Sequence, residues 1–211
     1  MPKATQFSGK VVPAVGLSLL ESVREIDRPT AEEEELFEMD LPLSMHRRLG
    51  LSSAVRNQIR RYSTLSDREG LPADEIANLF ELIGRRPDAE TVFSRAGARM
   101  ADLHVSARRS GVRKILPRTV RQRLAFRKMR SLVRKVSPQG SIHTHSRPPS
   151  VVVDRCLPAR AVQGSSGCAF VTGAIERILG RYGANGFAVV HDACEGRAAD
   201  HCSWRLDADP D

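Results

Sequence analysis

Residues 167–206 read GCAFVTGAIERILGRYGANGFAVVHDACEGRAADHCSWRL, and this stretch decides the fold class. Its first part has apolar side chains at helical spacing and ends at two glycines that can terminate a helix, which predicts an amphipathic helix. Its second part has two short runs of β-branched and aromatic residues on either side of a polar turn, which predicts a β-hairpin. The expected elements are a helix over about 166–180, a strand over 187–192, a turn over 195–200 and a strand over 202–206.

Three cysteines and a histidine of this stretch follow the pattern C-x22-H-x2-C-x7-C, formed by Cys168, His191, Cys194 and Cys202. Zinc prefers four thiolate or imidazole ligands in a tetrahedron, and a set of four protein ligands is typical of structural sites. Cys168 is expected in the first turn of the helix, where free N–H groups and the helix dipole favour a thiolate. Cys194 and Cys202 flank the hairpin turn, so both can reach the same point. The pattern therefore predicts one structural zinc ion.

The zinc interpretation requires a local distortion of the first hairpin strand. On a regular strand His191 and Cys194 point to opposite faces, so the chain must bend or bulge at Asp192 and Ala193 for both to bind one ion. Other interpretations stay open at this point. Cys194 and Cys202 can instead form a disulfide across the hairpin, or the thiols can be ordinary buried core residues.

The same stretch resembles the C-terminal half of 4-vinyl-reductase domains, which share a superfamily with subunits of the TRAPP vesicle-tethering complex. Those domains have a helix that carries a cysteine, then a strand, then a C-x7-C hairpin. In their zinc-binding members, such as the sensor domains of phenol-responsive activators, the residue three before the first hairpin cysteine is typically glutamate, whereas this chain has His191. The resemblance implies zinc ligands at Cys168, His191, Cys194 and Cys202, with Asp192 as the substitute if His191 turns away.

The resemblance also implies an α/β (α+β) fold in which helices pack on a small antiparallel sheet, as in TRAPP subunits. It assigns residues 71–211 to a 4-vinyl-reductase-like domain and leaves residues 1–70 as an N-terminal helical extension or dimerisation region. Members of the family often form dimers and can hold a hydrophobic small molecule or a tetrapyrrole between helices and sheet. The implied function is sensory, or accessory to a biosynthetic pathway such as bacteriochlorophyll synthesis. A dimeric scaffold that tethers partners is the alternative.

Helical periodicity predicts five further helices, with prolines or capping residues at several of their starts. Gly97 lies on the apolar face of the fourth one, which predicts close packing of that helix against another backbone. Residues 137–150 are rich in proline and glycine and are expected to form a loop before a strand that begins at Val151. The five helices are expected after Pro13, over 53–62, over 72–83, from an Asp88 cap to Leu103, and after Pro117.

The net charge of +8 is concentrated in one segment. Leu103 to Val153 contains thirteen Lys or Arg and no Asp or Glu, so the rest of the chain carries 20 positive and 25 negative charges. Many of the cations lie on the helix expected over 117–136, whose polar face can attract a phosphate backbone or an acidic membrane surface. The acidic run Glu32–Glu35 is expected to be a solvated surface.

The sequence SIHTHS places His143 and His145 in the proline-rich segment. Together with Cys156 they are candidates for a second metal site. If the segment folds over the hairpin, either histidine can replace His191 as the fourth zinc ligand. Histidines in such segments are more often ordinary polar residues, so the site formed with His191 is the favoured one.

Several classes of function find no support in the sequence. It has no run of about 18 apolar residues, and the N-terminus is too polar for a secretory signal, so a cytoplasmic location is expected. The glycines over 180–186 have the wrong spacing for a dinucleotide-binding loop and follow a helix instead of a strand. A zinc ion with four protein ligands has no open position for a substrate. An enzyme is therefore not expected, in spite of the reductase name of the family.

Overall fold

The computed structural model describes residues 7–28, 52–105, 117–146, 148–183 and 187–208. Within these ranges the chain forms an α+β fold of helices and small antiparallel sheets, as expected. The α-helices are α1 (Pro13–Ile26), α2 (Ser53–Thr64), α3 (Ala73–Gly84), α4 (Ala89–His104), α5 (Arg118–Val136), α6 (Leu157–Ala161) and α7 (Cys168–Arg181). The strands are β1 (Lys10–Val11), β2 (Leu71–Pro72), β3 (Ser141–Ser146), β4 (Pro149–Asp154), β5 (Phe187–Ala193) and β6 (Cys202–Ala208), with a 3₁₀ turn at Glu195–Arg197.

The larger sheet has four antiparallel strands in the order β3-β4-β6-β5. β4 pairs with β6 so that Val153 lies opposite Cys202, and β5 pairs with β6 so that His191 lies opposite Trp204. The predicted hairpin of β5 and β6 is therefore confirmed. In the smaller sheet β1 pairs with β2, which places the N-terminal strand beside Leu71.

One hydrophobic core joins the helices to the larger sheet. α7 lies at its centre, with nine of its 14 residues buried, and packs mainly against α4, with further contacts to α5 and β5. The Phe80 ring meets those of Phe93 and Phe170 at centroid distances of 5.2 and 5.4 Å, which is the range that aromatic pairs favour. The indole of Trp204 on β6 is also wholly buried. α7 is thereby fixed between the helical layer and the sheet.

Ion pairs between a carboxylate of α4 and two arginines of α7 orient these two helices against each other. Asp102 of α4 pairs with Arg177 and Arg181 of α7 at 2.8 and 2.7 Å. Burial alone would raise the pKa of Asp102, but the hydrogen bonds from the two arginines lower it below its usual value. Such partly exposed pairs contribute little to stability individually, so their main effect is to set the register of the two helices.

Asp88 stands at the N-cap position of α4, where the sequence predicts it, but without the expected side-chain cap. Its side chain makes no capping bond to the helix and instead accepts a hydrogen bond from Arg86 at 2.8 Å. Arg86 also donates to Asp27 at 2.6 Å, and Asp27 is only 3% exposed. Arg86 thus pairs with both carboxylates, and the partly exposed Asp88 side chain points to the guanidinium instead of to the helix N-terminus.

Residues 137–150 are not the loop that the sequence predicts. β3 pairs along its whole length with β4, and β4 begins at Pro149 instead of Val151. Ile142 is 8% exposed, whereas His143 and His145 face solvent, which is the alternation of a half-buried strand. The sheet tolerates Pro149 because proline is accepted as the first residue of a strand.

Residues on both sides of position 70 belong to the same core. Tyr62 of α2 is buried, and its hydroxyl donates to the Glu75 carboxylate of α3 at 2.7 Å. The acidic run Glu32–Glu35 lies outside the described residues, and a division of the chain at residue 70 stays a prediction. None of the helices in the described ranges is long and apolar enough to cross a membrane.

α4 and α7 approach closely because each has a glycine at their contact. A Cβ on Gly97 would lie 1.8 Å from the Phe170 carbonyl oxygen, and a Cβ on Gly173 would lie 2.2 Å from the Ser94 carbonyl oxygen. Both distances are far below van der Waals contact, so neither position accepts a side chain without displacing a backbone. The close packing predicted at Gly97 is confirmed.

Replacing Gly97 by alanine is expected to lower the free energy of unfolding by about 2 kcal/mol, because overpacking typically costs about 1–3 kcal/mol. The roughly 1 kcal/mol that alanine gains in helix propensity does not offset a backbone collision. Gly180→Ala, at an exposed position of α7, is the matched control and should not destabilise the chain. Urea denaturation measures both changes, and a Gly97→Ala variant as stable as the wild type would contradict this packing.

Candidate metal centre

Cys168 is the first residue of α7, in the helical first turn where the sequence predicts it. The preceding Gly167 allows this helix end to approach α6, since a Cβ there would lie 2.1 Å from the Pro158 carbonyl oxygen. The Cys168 side chain is wholly buried and contacts the thiols of the hairpin. Its sulfur therefore lies at a helix N-terminus, where the helix dipole favours negative charge.

The strand distortion that zinc binding requires is present in β5. The pairing of β5 with β6 shifts register between His191 and Ala193, and the strand ends there, so Cys194 lies beyond it. The chain then turns tightly, with the amides of Arg197 and Ala199 both donating to the Cys194 carbonyl. The irregularity lets Cys194 and His191 face the same point, so the predicted bulge is confirmed.

One donor atom from each of Cys168, His191, Cys194 and Cys202 lies within 4.8 Å of the other three. The Cys168 sulfur is 3.3 Å from that of Cys194 and 3.7 Å from that of Cys202. Zn–S bonds of about 2.3 Å in a tetrahedron place two sulfurs about 3.8 Å apart, so these two separations differ from that of a zinc site by at most about 0.5 Å. These residues, called the metal centre below, are close enough to hold a metal ion.

His191 has a buried nitrogen that no described residue satisfies. Its Nε2 atom lacks a hydrogen-bond partner there, although buried polar atoms nearly always have one. The imidazole stacks on the Trp204 indole with ring centroids 5.0 Å apart, and the indole N–H donates to Thr172 of α7 at 2.8 Å. Trp204 thus holds the imidazole in place beside the thiols, and a metal ion fits the unpaired nitrogen.

Hydrogen bonds among the thiols favour a thiolate at Cys202. Hydrogen bonds from Cys156 and Cys168 lower the pKa of Cys202 well below its usual range, and the Glu195 amide acts in the same direction. The Glu195 N–H donates to the Cys202 sulfur at 3.4 Å. Because a cysteine must lose its proton to bind a metal, these contacts favour metal binding.

The donor set suits zinc. Three thiols and one imidazole are ligands that zinc accepts in a tetrahedral array, and sites of the Cys₃His type are structural. Harder cations such as Mg²⁺ and Ca²⁺ prefer oxygen donors. All four donors come from the protein, so a bound ion is closed to substrate.

The other residues considered as ligands lie elsewhere. Asp192 is exposed and 3.7 Å from Arg205, and His191 does not turn away, so Asp192 is not needed as a substitute. His143 and His145 are exposed on β3, whereas Cys156 is buried, so the second metal site suggested by the sequence is not formed. All four cysteines are free, which rules against the alternative of a disulfide across the hairpin.

Three further residues lie around the metal centre without having been connected with it from the sequence, although Cys156 was a candidate ligand of a second site. Trp204 was detectable, because residues 202 and 204 of one strand share a face. Glu195 and Cys156 gave no local signal, since their contacts join segments that are about 40 residues apart. The contacts of both residues form only when β4 and β6 pair in the folded chain.

Comparison with known protein families, with curated proteins and with solved structures found no match to this chain. The relationship to 4-vinyl-reductase and TRAPP-subunit domains therefore stays a prediction that depends on the residues quoted above. The metal centre is supported by its own geometry and chemistry.

Replacing Cys194 by serine is expected to reduce bound zinc from about one ion per chain to almost none, because structural zinc needs its four ligands. A structural zinc contributes on the order of 10 kcal/mol to folding, so the C-terminal half should loosen. Elemental analysis and thermal unfolding with and without a chelator measure both effects. His145→Ala, at an exposed histidine outside the metal centre, is the control and should keep its zinc. Unchanged zinc in Cys194→Ser would contradict the site.

Proposed function

We propose that this chain is a zinc-containing domain that binds a hydrophobic small molecule, in a sensory role or as an accessory to a biosynthetic pathway. The observation that carries the zinc proposal is the convergence of four donor atoms within 4.8 Å of one another. With four protein ligands, the ion has no open coordination position for a substrate. The proposal therefore gives the metal a structural role, in which it holds α7 against the hairpin.

A cleft of about 430 Å³ between α1, α2, α4 and α5 is the candidate ligand site. Small-molecule sites typically measure about 300–1,000 Å³ and are lined mostly by apolar side chains. Leu17, Leu65, Met100 and Leu103 contribute such surface here. Leu103 is 57% exposed, so the cleft presents apolar surface to solvent. Its size and the apolar half of its lining support a ligand with a hydrophobic part.

His104 and Lys135 give the cleft a polar side. Burial, together with the charges of Lys135 and Lys128, lowers the pKa of His104 to about 4, so its imidazole is neutral at pH 7. The buried Nε2 atom of His104 has no hydrogen-bond partner in the part of the chain that the structure describes. Asp67 also lines the cleft and pairs with the Lys135 ammonium at 3.0 Å. Apolar walls beside a neutral imidazole and a compensated ion pair favour a hydrophobic molecule that carries one polar group.

Leu103→Trp is expected to obstruct this cleft at little cost in stability, because Leu103 is 57% exposed. The probe is anilinonaphthalene sulfonate, an apolar anion whose fluorescence rises on binding. Its affinity for the full chain should fall about tenfold or more, which corresponds to about 1.4 kcal/mol. Leu82→Trp, at a residue that is 52% exposed and outside the cleft lining, is the matched control.

Native mass spectrometry of chain purified from cells provides an independent test and should show a bound hydrophobic molecule. The absence of such a molecule, of dye binding and of thermal stabilisation by hydrophobic compounds or tetrapyrroles would contradict ligand binding. That result would favour the alternative of a scaffold that dimerises and tethers partners.

A second candidate function, binding to a phosphate backbone, is favoured by an arginine stripe on α5. Arg123, Arg127, Arg130 and Arg134 are all exposed, and each is three or four residues from the next, so they share one face of the helix. None of the four has an ion-pair partner among the described residues. At 1.5 Å per residue the stripe is about 16 Å long, enough to contact several phosphates.

The opposite face of α5 favours nucleic acid over a membrane as the partner. Helices that lie on membranes insert an apolar face into the lipid, but the apolar face of α5 is already buried in the core. Guanidinium groups match phosphate oxygens in a two-pronged geometry, which suits a nucleic-acid backbone. The buried residues of that face are Ala125, Phe126, Met129, Leu132, Val133 and Val136.

Arg127→Gln/Arg130→Gln is expected to reduce the slope of log affinity against log salt for duplex DNA by about two, since each lost phosphate contact removes about 0.9. Gel shifts at rising salt measure this slope. Arg56→Gln/Arg60→Gln on α2 has the same charge change at two exposed positions and is the control. Failure of the wild-type chain to bind DNA at low salt would remove this second function.

A further inference from the structure

The cleft between α1, α2, α4 and α5 has five polar side chains in its lining, and four of them already have partners. The Tyr62 hydroxyl donates to a carboxylate of α3 at 2.7 Å, and the Ser63 hydroxyl donates to a carbonyl of its own helix at 2.8 Å. Lys135 and Asp67 form an ion pair with each other. The fifth is His104, whose buried Nε2 atom has no hydrogen-bond partner among the described residues. One hydrogen-bonding side chain of the cleft is therefore left for a bound molecule.

The charges that line the cleft compensate each other. A carboxylate ligand would find the Lys135 ammonium already paired and would lie near the Asp67 carboxylate. An ammonium ligand would meet the opposite arrangement, with Asp67 paired and Lys135 close by. Because a charge that leaves water without gaining a free partner is costly, the cleft favours a molecule without net charge.

The His104 imidazole suits a hydroxyl group better than other uncharged polar groups. It is the last residue of α4 and is neutral at pH 7, because burial and the lysines of α5 lower its pKa. A neutral imidazole has one N–H donor and one nitrogen acceptor, and which nitrogen carries the proton depends on its surroundings. A hydroxyl oxygen both donates and accepts, so it pairs with either form of the ring.

We propose that the cleft binds an uncharged hydrophobic molecule with a single hydroxyl group, and that the His104 imidazole forms the hydrogen bond to that hydroxyl. This inference rests on the ligand site proposed above and names the chemical class of its ligand. The apolar side chains of the lining contact the rest of the molecule. His104 then determines specificity, since the other polar side chains of the cleft are already paired.

Two matched probes test this recognition. 2-Naphthalenemethanol and 2-methylnaphthalene have the same ring system and differ only by the hydroxyl oxygen. The full chain is titrated with each probe at neutral pH, and the fluorescence of the naphthalene ring gives the two dissociation constants. The ratio of the constants, compared between wild type and variants, separates the hydrogen bond from the apolar contacts that both probes share.

His104→Phe is expected to raise the ratio of the alcohol's dissociation constant to that of the hydrocarbon about fivefold, which is the contribution of one net hydrogen bond. Binding of 2-methylnaphthalene should change little, because phenylalanine keeps an apolar ring in the lining. His104→Gln keeps a donor and an acceptor and should retain most of the wild-type preference. His145→Phe, at an exposed histidine outside the cleft, is the matched control and should leave the ratio unchanged.

A charged probe tests the absence of net charge in the ligand. 2-Naphthoate has the same ring system with a carboxylate, which is ionised at neutral pH. It should bind the wild-type chain about tenfold more weakly than 2-naphthalenemethanol or weaker still, because Lys135 is already paired with Asp67. Circular dichroism checks the fold of each variant, and His104→Leu replaces His104→Phe if the latter does not fold.

Three outcomes would overturn the proposal. An equal ratio in wild type and His104→Phe would show that the imidazole does not recognise the hydroxyl. Tighter binding of 2-naphthoate than of the alcohol would make the ligand an acid, recognised by Lys135. Failure of every His104 variant to fold would make the imidazole a structural residue. A wild-type chain that binds neither naphthalenemethanol nor methylnaphthalene would instead defeat the proposed ligand site itself, so the two failures are distinguishable.

Discussion

The Cys168 sulfur meets the β5–β6 hairpin at the N-terminus of α7, 3.3 Å from the sulfur of Cys194 and 3.7 Å from that of Cys202. The rest of the structure depends on this contact, because it joins α7, the helix at the centre of the core, to the hairpin of β5 and β6. β6 in turn pairs with β4 and so connects the hairpin to the rest of the sheet. Trp204 adds a hydrogen bond to Thr172 just along the same helix. On its other side α7 fits α4 through Gly97. A displacement of α7 would therefore disturb the metal centre, the sheet and the helical layer together.

The parts of the structure that the sequence predicts well are those with local patterns. Helical periodicity places Cys168 in the first turn of α7, and the need for His191 and Cys194 to face one ion predicts the irregularity of β5. β3 was not predicted because the prolines on either side of it favour a loop. They outweighed the alternation of Ile142 with its polar neighbours, which is typical of a strand. The position of Cys156 was missed because it depends on strand pairing and on Glu195, which lies 39 residues away. Those contacts exist only in the folded chain, so no local pattern contains them.

The metal centre and the cleft are separate sites. None of the residues that line the cleft is a donor of the metal centre, so a molecule in the cleft does not touch the ion. α4 connects the two, because it lines the cleft through Met100 and Leu103 and packs on α7 through Gly97. Any influence of a bound molecule on the hairpin must therefore pass through helix packing, which transmits small rigid displacements.

Electrostatics links the occupancy of the metal centre to the stability of the core. Three thiolates crowded in one buried space repel one another, so without a cation most of the thiols stay protonated. Hydrogen bonds with Cys156 and Cys202, together with burial, raise the pKa of Cys168, and burial and the charge of Cys202 raise that of Glu195. Metal binding must therefore displace protons from thiols that also hold α7 against the hairpin. Because the same sulfurs bind the ion and join the elements, metal affinity and folding free energy are linked in one equilibrium.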